Sequence, residues 1–153
     1  EEAIGKVKSG SLVLSGGFGV CGNPNYLLQT LANRKDINGL TVVSNNTGLD
    51  EYGIGHLIKN NKVKRCISSY LGNNKIFYKM YMEGKIELEI TPQGTIAEKV
   101  RSGGKGISAF WTPSGVGTLV ETGGFPIKYK LGSKDPEILS QPKPSRIMNG
   151  KVT

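Results

Sequence analysis

The sequence is poor in the residues that most catalytic and metal sites draw on. It has one histidine, His56, and two cysteines, Cys21 and Cys66, with no Cys-x-x-Cys pair and no Cys/His cluster. Neither a zinc site nor a disulfide framework is expected from so little, and two free thiols are. One histidine alone gives a Ser-His-Asp triad little support. No apolar run approaches the ~20 residues of a membrane helix. Residues 1–20 lack the basic, apolar and small-residue order of a signal peptide. The chain starts Glu1-Glu2 rather than with Met, as a trimmed or processed chain would. Aromatics are 7% and are not interleaved with the cations, so the net charge of +8 does not read as a nucleic-acid platform. Lys59, Lys62, Lys64 and Arg65, with Lys128, Lys130 and Lys134 later, read as solvated faces that could at most attract a phosphate-bearing ligand.

What is plentiful is glycine. There are 22 in 153 residues, about twice the ~7% average. Tight turns, or backbone lying close to a ligand, require that. The length fits one domain with a real core.

Short apolar runs alternate with helical patterns. Leu12-Val13-Leu14 reads as a buried strand, followed by a glycine-rich loop at 16–22. Asn23 is placed to cap a helix with Pro24 in its first turn, and Leu27, Leu28, Leu31 and Ala32 share one face. Leu40 to Val43 reads as a second strand and Asn45-Asn46-Thr47-Gly48 as the turn after it. A short helix near 52–60 and a strand at 63–68 follow. At 74–83, Ile76, Phe77, Met80 and Tyr81 form a core-facing stripe. Glu87 to Ile90 is a fourth strand. Thr95 and Glu98 have capping-box spacing for a helix ending at Gly103-Gly104, and Ile107 to Trp111 reads as a fifth strand. The expected fold is therefore α/β, a mostly parallel open sheet with helices on both faces. Residues 1–131 form the domain, and 132–153 form a polar, proline-bearing loop and tail without a closing element.

Ligands of open parallel sheets bind beyond the carboxyl ends of the strands. The turns there hold Gly16, Gly17, Phe18, Gly19, Asn45, Asn46 and Gln93, and no carboxylate. Gly17-x-Gly19-x-x-Gly22 fits the dinucleotide spacing. Asn45 and Asn46 stand where an acidic ribose ligand belongs, however, and Pro24 starts the helix only after the glycines. Carboxamides and glycine N–H groups together suit a carbonyl, carboxylate or oxyanion oxygen, and one such donor is worth about 3–4 kcal/mol to a developing oxyanion. No nucleophile with a base accompanies them. Cys21 has no nearby base.

Five blocks in order resemble the family I coenzyme A transferases: Leu12-Val-Leu-Ser-Gly-Gly-Phe-Gly-Val-Cys-Gly-Asn-Pro24, Val43-Ser-Asn-Asn-Thr-Gly48, Ser68-Ser-Tyr-Leu-Gly72, Leu88-Glu-Ile-Thr-Pro-Gln-Gly-Thr95 and Ala109-Phe-Trp-Thr-Pro-Ser-Gly-Val-Gly-Thr118. They cover about residues 4–150. Ser9-Gly10-Ser11 departs from the family where an Asp-Gly turn is common. The resemblance implies transfer of coenzyme A from succinyl-CoA to a 3-oxoacid such as acetoacetate, in ketone-body catabolism. The attacking glutamate would lie in a second half or beta subunit, passing through a glutamyl-CoA thioester. None of Glu51, Glu83, Glu87, Glu89, Glu98, Glu121 or Glu137 matches its motif. Asn45, Asn46 and Gln93, with Gly16, Gly17, Phe18 and Gly19, would orient the acyl group and stabilise oxyanions. The resemblance further implies a homodimer and no cofactor or metal beyond the thioester substrate. It places the protein in the mitochondrial matrix of a eukaryote or the cytoplasm of a bacterium, with neither nucleic acid nor membrane as partner. The alternatives are a non-catalytic nucleotide- or phosphate-binding module using the Gly17–Gly22 loop, and a non-catalytic scaffold offering a dimer surface.

Overall fold

A computed structural model describes residues 2–153. Its centre is a four-stranded parallel sheet in the order β1 (Leu12–Leu14), β2 (Leu40–Asn46), β3 (Val63–Tyr70), β4 (Glu87–Ile90). Strands joined in parallel need long crossovers. Here these are α2 (Asn25–Asn33), α3 (Gly55–Lys59) and α4 (Lys75–Met82), after a short α1 (Glu2–Gly5).

Alternation along the strands decides which side is packed. Leu40, Val42, Cys66 and Leu88 are buried, and register aligns them on one face. Against that face lie Leu28, Leu31 and Ala32 of α2, Leu57 and Ile58 of α3, and Phe77 and Tyr81 of α4, in one cluster. The opposite face carries Thr41, Val43, Arg65, Ile67 and Glu89. α5 (Gln93–Lys105) covers its β3–β4 half: Lys99 Nζ reaches Glu89 Oε1 at 3.5 Å. Over β1, by contrast, Leu12 is 61% and Leu14 56% exposed, so 12–14 is a strand as expected but not a buried one, because it lies at the sheet edge beyond the reach of α5. The expected fold class is present, with helices on both faces, but the second cover stops short of β1.

Several sequence expectations need correction. Asn45 and Asn46 belong to β2 and not to a turn, because β3 runs on to Tyr70 and keeps the ladder going opposite Asn46. Asn23 does not cap α2; its side chain turns back to the Gly19 carbonyl at 3.1 Å. α5 starts at Gln93, two residues before Thr95, so Thr95 and Glu98 are inside the helix and make no capping box. The same helix runs past Gly103-Gly104 to Lys105 and stops at left-handed Gly106 (φ 70°). Residues 107–111 form no strand; they run as an open segment, since a strand exists only through a ladder partner and none lies alongside.

The remainder is not all loop. After α6 (Leu119–Thr122), β5 (Pro126–Tyr129) pairs antiparallel with β6 (Pro136–Leu139). β7 (Ile147–Met148) and β8 (Lys151–Val152) close a small hairpin, so the tail has a closing element after all. β5 is tied to the core by Tyr81, whose hydroxyl donates to the Pro126 carbonyl and whose ring meets Tyr129 edge-on at 5.1 Å.

Candidate functional site

The loop after β1 doubles back on itself. Phe18 N–H donates to the Cys21 carbonyl at 2.9 Å and Cys21 N–H returns a bond to Phe18 at 3.0 Å, so Gly19 and Val20 form the tip. Glycine is required at Gly17, where φ is 127° and a Cβ would stand 2.4 Å from Asn23 Oδ1. Three side chains pin this loop from outside it or from its base. Asn23 and Asn46 both donate to the Gly19 carbonyl, at 3.1 and 3.2 Å, and the Tyr52 hydroxyl donates to that of Val20 at 3.0 Å. Phe18 stays 70% exposed at the rim. The N–H groups of Gly16, Gly17 and Gly19 have no hydrogen-bond partner among the described residues.

Alternation along β2 sends Asn45 and Asn46 to opposite faces, yet their amides meet at the strand's end. Asn46 is buried. Its Oδ1 accepts the Gly48 N–H at 2.8 Å, and its Nδ2 donates to Gly19 and to Asn45 Oδ1, the latter at 3.3 Å. Asn45 Nδ2 donates to Gln93 Oε1 at 2.7 Å and to Ser69 Oγ at 3.2 Å. Ser69 in turn donates its hydroxyl to the Asn45 carbonyl at 2.8 Å. Gln93, the first residue of α5, is exposed.

The structure thus brings Asn45, Asn46, Gln93 and Gly19 into one bonded cluster, with Gly16, Gly17 and Phe18 in the same loop. Ser69, Asn23, Tyr52 and the Gly48 N–H belong to it as well, and sequence reasoning did not select them. Ser69 had one available signal, its place inside the Ser68–Gly72 block. The donor count also changes: both N–H groups of Asn45 and Asn46 are engaged within the protein, which leaves Gln93 and the loop backbone as outward donors.

Among the described residues no carboxylate joins the cluster. Glu51 is paired with Lys59, Glu83 with Lys85, Glu98 with Arg101 and Glu137 with Lys128. Burial pushes the Glu89 carboxyl up, but Arg65 and Lys99 outweigh it and hold it below the usual glutamate range. Glu121 is held low by the Gly117 N–H and the Ser145 hydroxyl. Cys66 is sealed in the core, where burial pushes its thiol up to about 12; Cys21 is exposed, and both are free. His56 sits on α3, and its Nε2 is buried with no hydrogen-bond partner among the described residues. Among the described residues no group of three or more His, Cys, Asp or Glu could hold a metal, and no helix is long and apolar enough to cross a membrane.

Two hollows lie away from this cluster. One of about 540 Å³ opens between α5 and residues 107–116, beside Phe110, Trp111 and Val116. Another of about 440 Å³ lies by Leu119, Val120 and Phe125. Neither is lined by Asn45, Asn46, Gln93 or the Gly16–Gly19 loop.

Known proteins resemble this chain over nearly all its length. The coenzyme A transferase family model matches residues 1–151. A mouse protein named succinyl-CoA:3-ketoacid coenzyme A transferase 2A, mitochondrial, is 45% identical over 152 residues; the match takes in 98% of this chain and 28% of that protein. A Helicobacter pylori protein, named as one of the subunits of a succinyl-CoA:3-ketoacid coenzyme A transferase, is 47% identical over 123 residues, 80% of this chain and 53% of that one. An acyl-CoA transferase from Escherichia coli O157:H7, solved as a thioester complex with CoA, shares the fold with a TM-score of 0.72 at 19% identity. That alignment covers 99% of this chain and 30% of the solved one. The chain therefore spans between 28% and 59% of the length of the curated relatives it matches.

Proposed function

Because the chain belongs to the coenzyme A transferase family, we propose that it supplies the acyl-binding part of an enzyme that moves coenzyme A from succinyl-CoA to a 3-oxoacid such as acetoacetate. The attacking carboxylate comes from polypeptide beyond these 153 residues, either a second half of the same chain or a separate partner chain. In the chemistry the family resemblance implies, a glutamate carboxylate adds to the thioester carbonyl and expels CoA thiolate, leaving an acyl-glutamyl anhydride. The thiolate then attacks the glutamyl carbonyl, releasing succinate and leaving a glutamyl-CoA thioester. The 3-oxoacid carboxylate reverses both steps and departs as its CoA ester. Every addition places negative charge on a carbonyl oxygen, and a preorganised neutral donor is suited to hold it.

The observation that carries this reading is the Asn45–Gln93 contact at 2.7 Å beside a loop with spare N–H groups, in a cluster without a carboxylate. The 43–47% identity to proteins named for succinyl-CoA and 3-ketoacids supports the substrate class. A nucleotide-binding module draws no support from the relatives. The test is a CoA-exchange assay between succinyl-CoA and acetoacetate. The chain alone is expected to be inactive, and activity is expected once the carboxylate-bearing half is supplied. Gln93→Ala should then lower kcat by about 100-fold, the usual loss for one oxyanion donor. Exchange by the chain alone would overturn the division of labour.

A further inference from the structure

The hydrogen bonds at the end of β2 have a direction, and it can be worked out without assuming any amide's orientation. A backbone N–H can only donate and a carbonyl can only accept. Asn46 lies between one of each. The side-chain atom facing the Gly48 N–H must be its oxygen, and the atom facing the Gly19 carbonyl must be its nitrogen. That nitrogen also faces Asn45, so Asn45 must turn its own oxygen inward. The Asn45 nitrogen is then directed at Gln93 and Ser69. Ser69 cannot hand its proton to Asn45's side chain, because the hydroxyl is committed to the Asn45 carbonyl. Gln93 consequently receives a proton at its oxygen, and its Nε2 is left pointing away from the network. Two fixed backbone groups thus set the polarity of three successive amides, and polarised chains of this kind strengthen each member.

We propose that Asn46 and Ser69 are positioning residues which fix the facing of the Gln93 carboxamide, so that the network ends in N–H donors offered to an oxygen of the acyl ligand. Neither residue needs to touch the ligand. The inference rests on the acyl-transfer reading for its role, though not for its geometry.

Asn46→Asp separates polarity from simple structural support. The new carboxylate still accepts the Gly48 N–H, but it presents oxygen where Asn45 needs a donor. Asn45 must rotate to offer its nitrogen, and Gln93 then turns its own nitrogen inward and shows oxygen to the ligand. Asn46→Ala removes the link without reversing it. In the reconstituted transferase, Asn46→Asp should lower kcat by about 100-fold or more at neutral pH and Asn46→Ala by about 10-fold. On acidification the introduced carboxyl becomes protonated and can donate to Asn45, so Asn46→Asp should recover toward the alanine variant. Ser69→Ala should lower kcat several-fold with KM unchanged, and Ser69→Thr should restore it.

Equal losses for Asn46→Asp and Asn46→Ala at every pH would overturn the proposal. A readout independent of activity is amide-proton exchange in the free, 15N-labelled chain. The side-chain protons of Asn45 and Asn46 should be protected and those of Gln93 should exchange freely, with Ser69→Ala loosening Asn45. Protected Gln93 protons in the wild-type chain would overturn the polarity even if transfer activity is found. Absence of CoA exchange in the reconstituted wild type would instead defeat the functional reading, leaving the exchange pattern to decide the geometry.

Discussion

The stretch up to Lys105 and the stretch after it are built on different terms. In the first, strands and helices alternate, and their apolar sides close on one cluster running from Ile4 to Leu88. After Gly106, Ile107, Trp111, Leu119, Leu131 and Ile147 are all more than 40% exposed, and two separate hairpins replace the sheet. The first region holds its shape by burial, the second by being fastened to the first. The fastening is local: Tyr81 on Pro126 and Tyr129, and Gly84 beneath the backbone of Tyr129 and Lys130. The candidate site sits wholly on the self-supporting part.

If this contrast is right, substitutions should sort by region. Phe77→Ala empties the centre of the cluster and should cost about 3–5 kcal/mol, read as a fall in the denaturation midpoint. Gly84→Ala is next. Its φ is 72° and a Cβ would stand 2.3 Å from the Tyr129 carbonyl oxygen, so a loss of about 2 kcal/mol is expected, with loosening of the β5–β6 hairpin seen by hydrogen exchange. Glu89→Gln should cost about 1 kcal/mol at neutral pH. The folded carboxyl lies below its unfolded value, so this contribution is present at neutral pH and disappears as pH falls through the folded value. Variant and parent should therefore converge in acid melts. Trp111→Ala should cost least, about 0.5 kcal/mol, since the residue is 43% exposed and the specific contact its ring makes among the described residues is with the Arg146 guanidinium at 5.4 Å. A loss at Trp111 as large as that at Phe77 would erase the distinction between the two regions.

The same contrast explains what could be read in advance. β4 and the stripe of α4 were legible because burial imposes a period on them, whereas β1 showed only as a short run of apolar residues, two of which the fold leaves exposed. The segment 107–111 carries strand-like residues, but nothing lies beside it to complete a ladder, and a sequence does not display its neighbours. Asn45-Asn46-Thr47-Gly48 has the composition of a turn; what makes its first half a strand is the continuation of β3 opposite it. The residue types of the site were visible, as was their gathering at one sheet edge. Their bonding was not. Asn45 reaches Gln93 across 48 positions and Ser69 across 24, so neither the engagement of the Asn45 donors nor the part played by Ser69 leaves a local mark.

Cys21 and Cys66 have an experimental consequence. One thiol is open to solvent beside the Gly19 tip and the other is locked in the core at a pKa pushed up to about 12. A maleimide fluorophore at neutral pH should therefore label the native chain at a single address. The dye would sit within a few residues of Phe18, so its emission would respond to whatever docks on the loop at 16–22, without any engineered mutation.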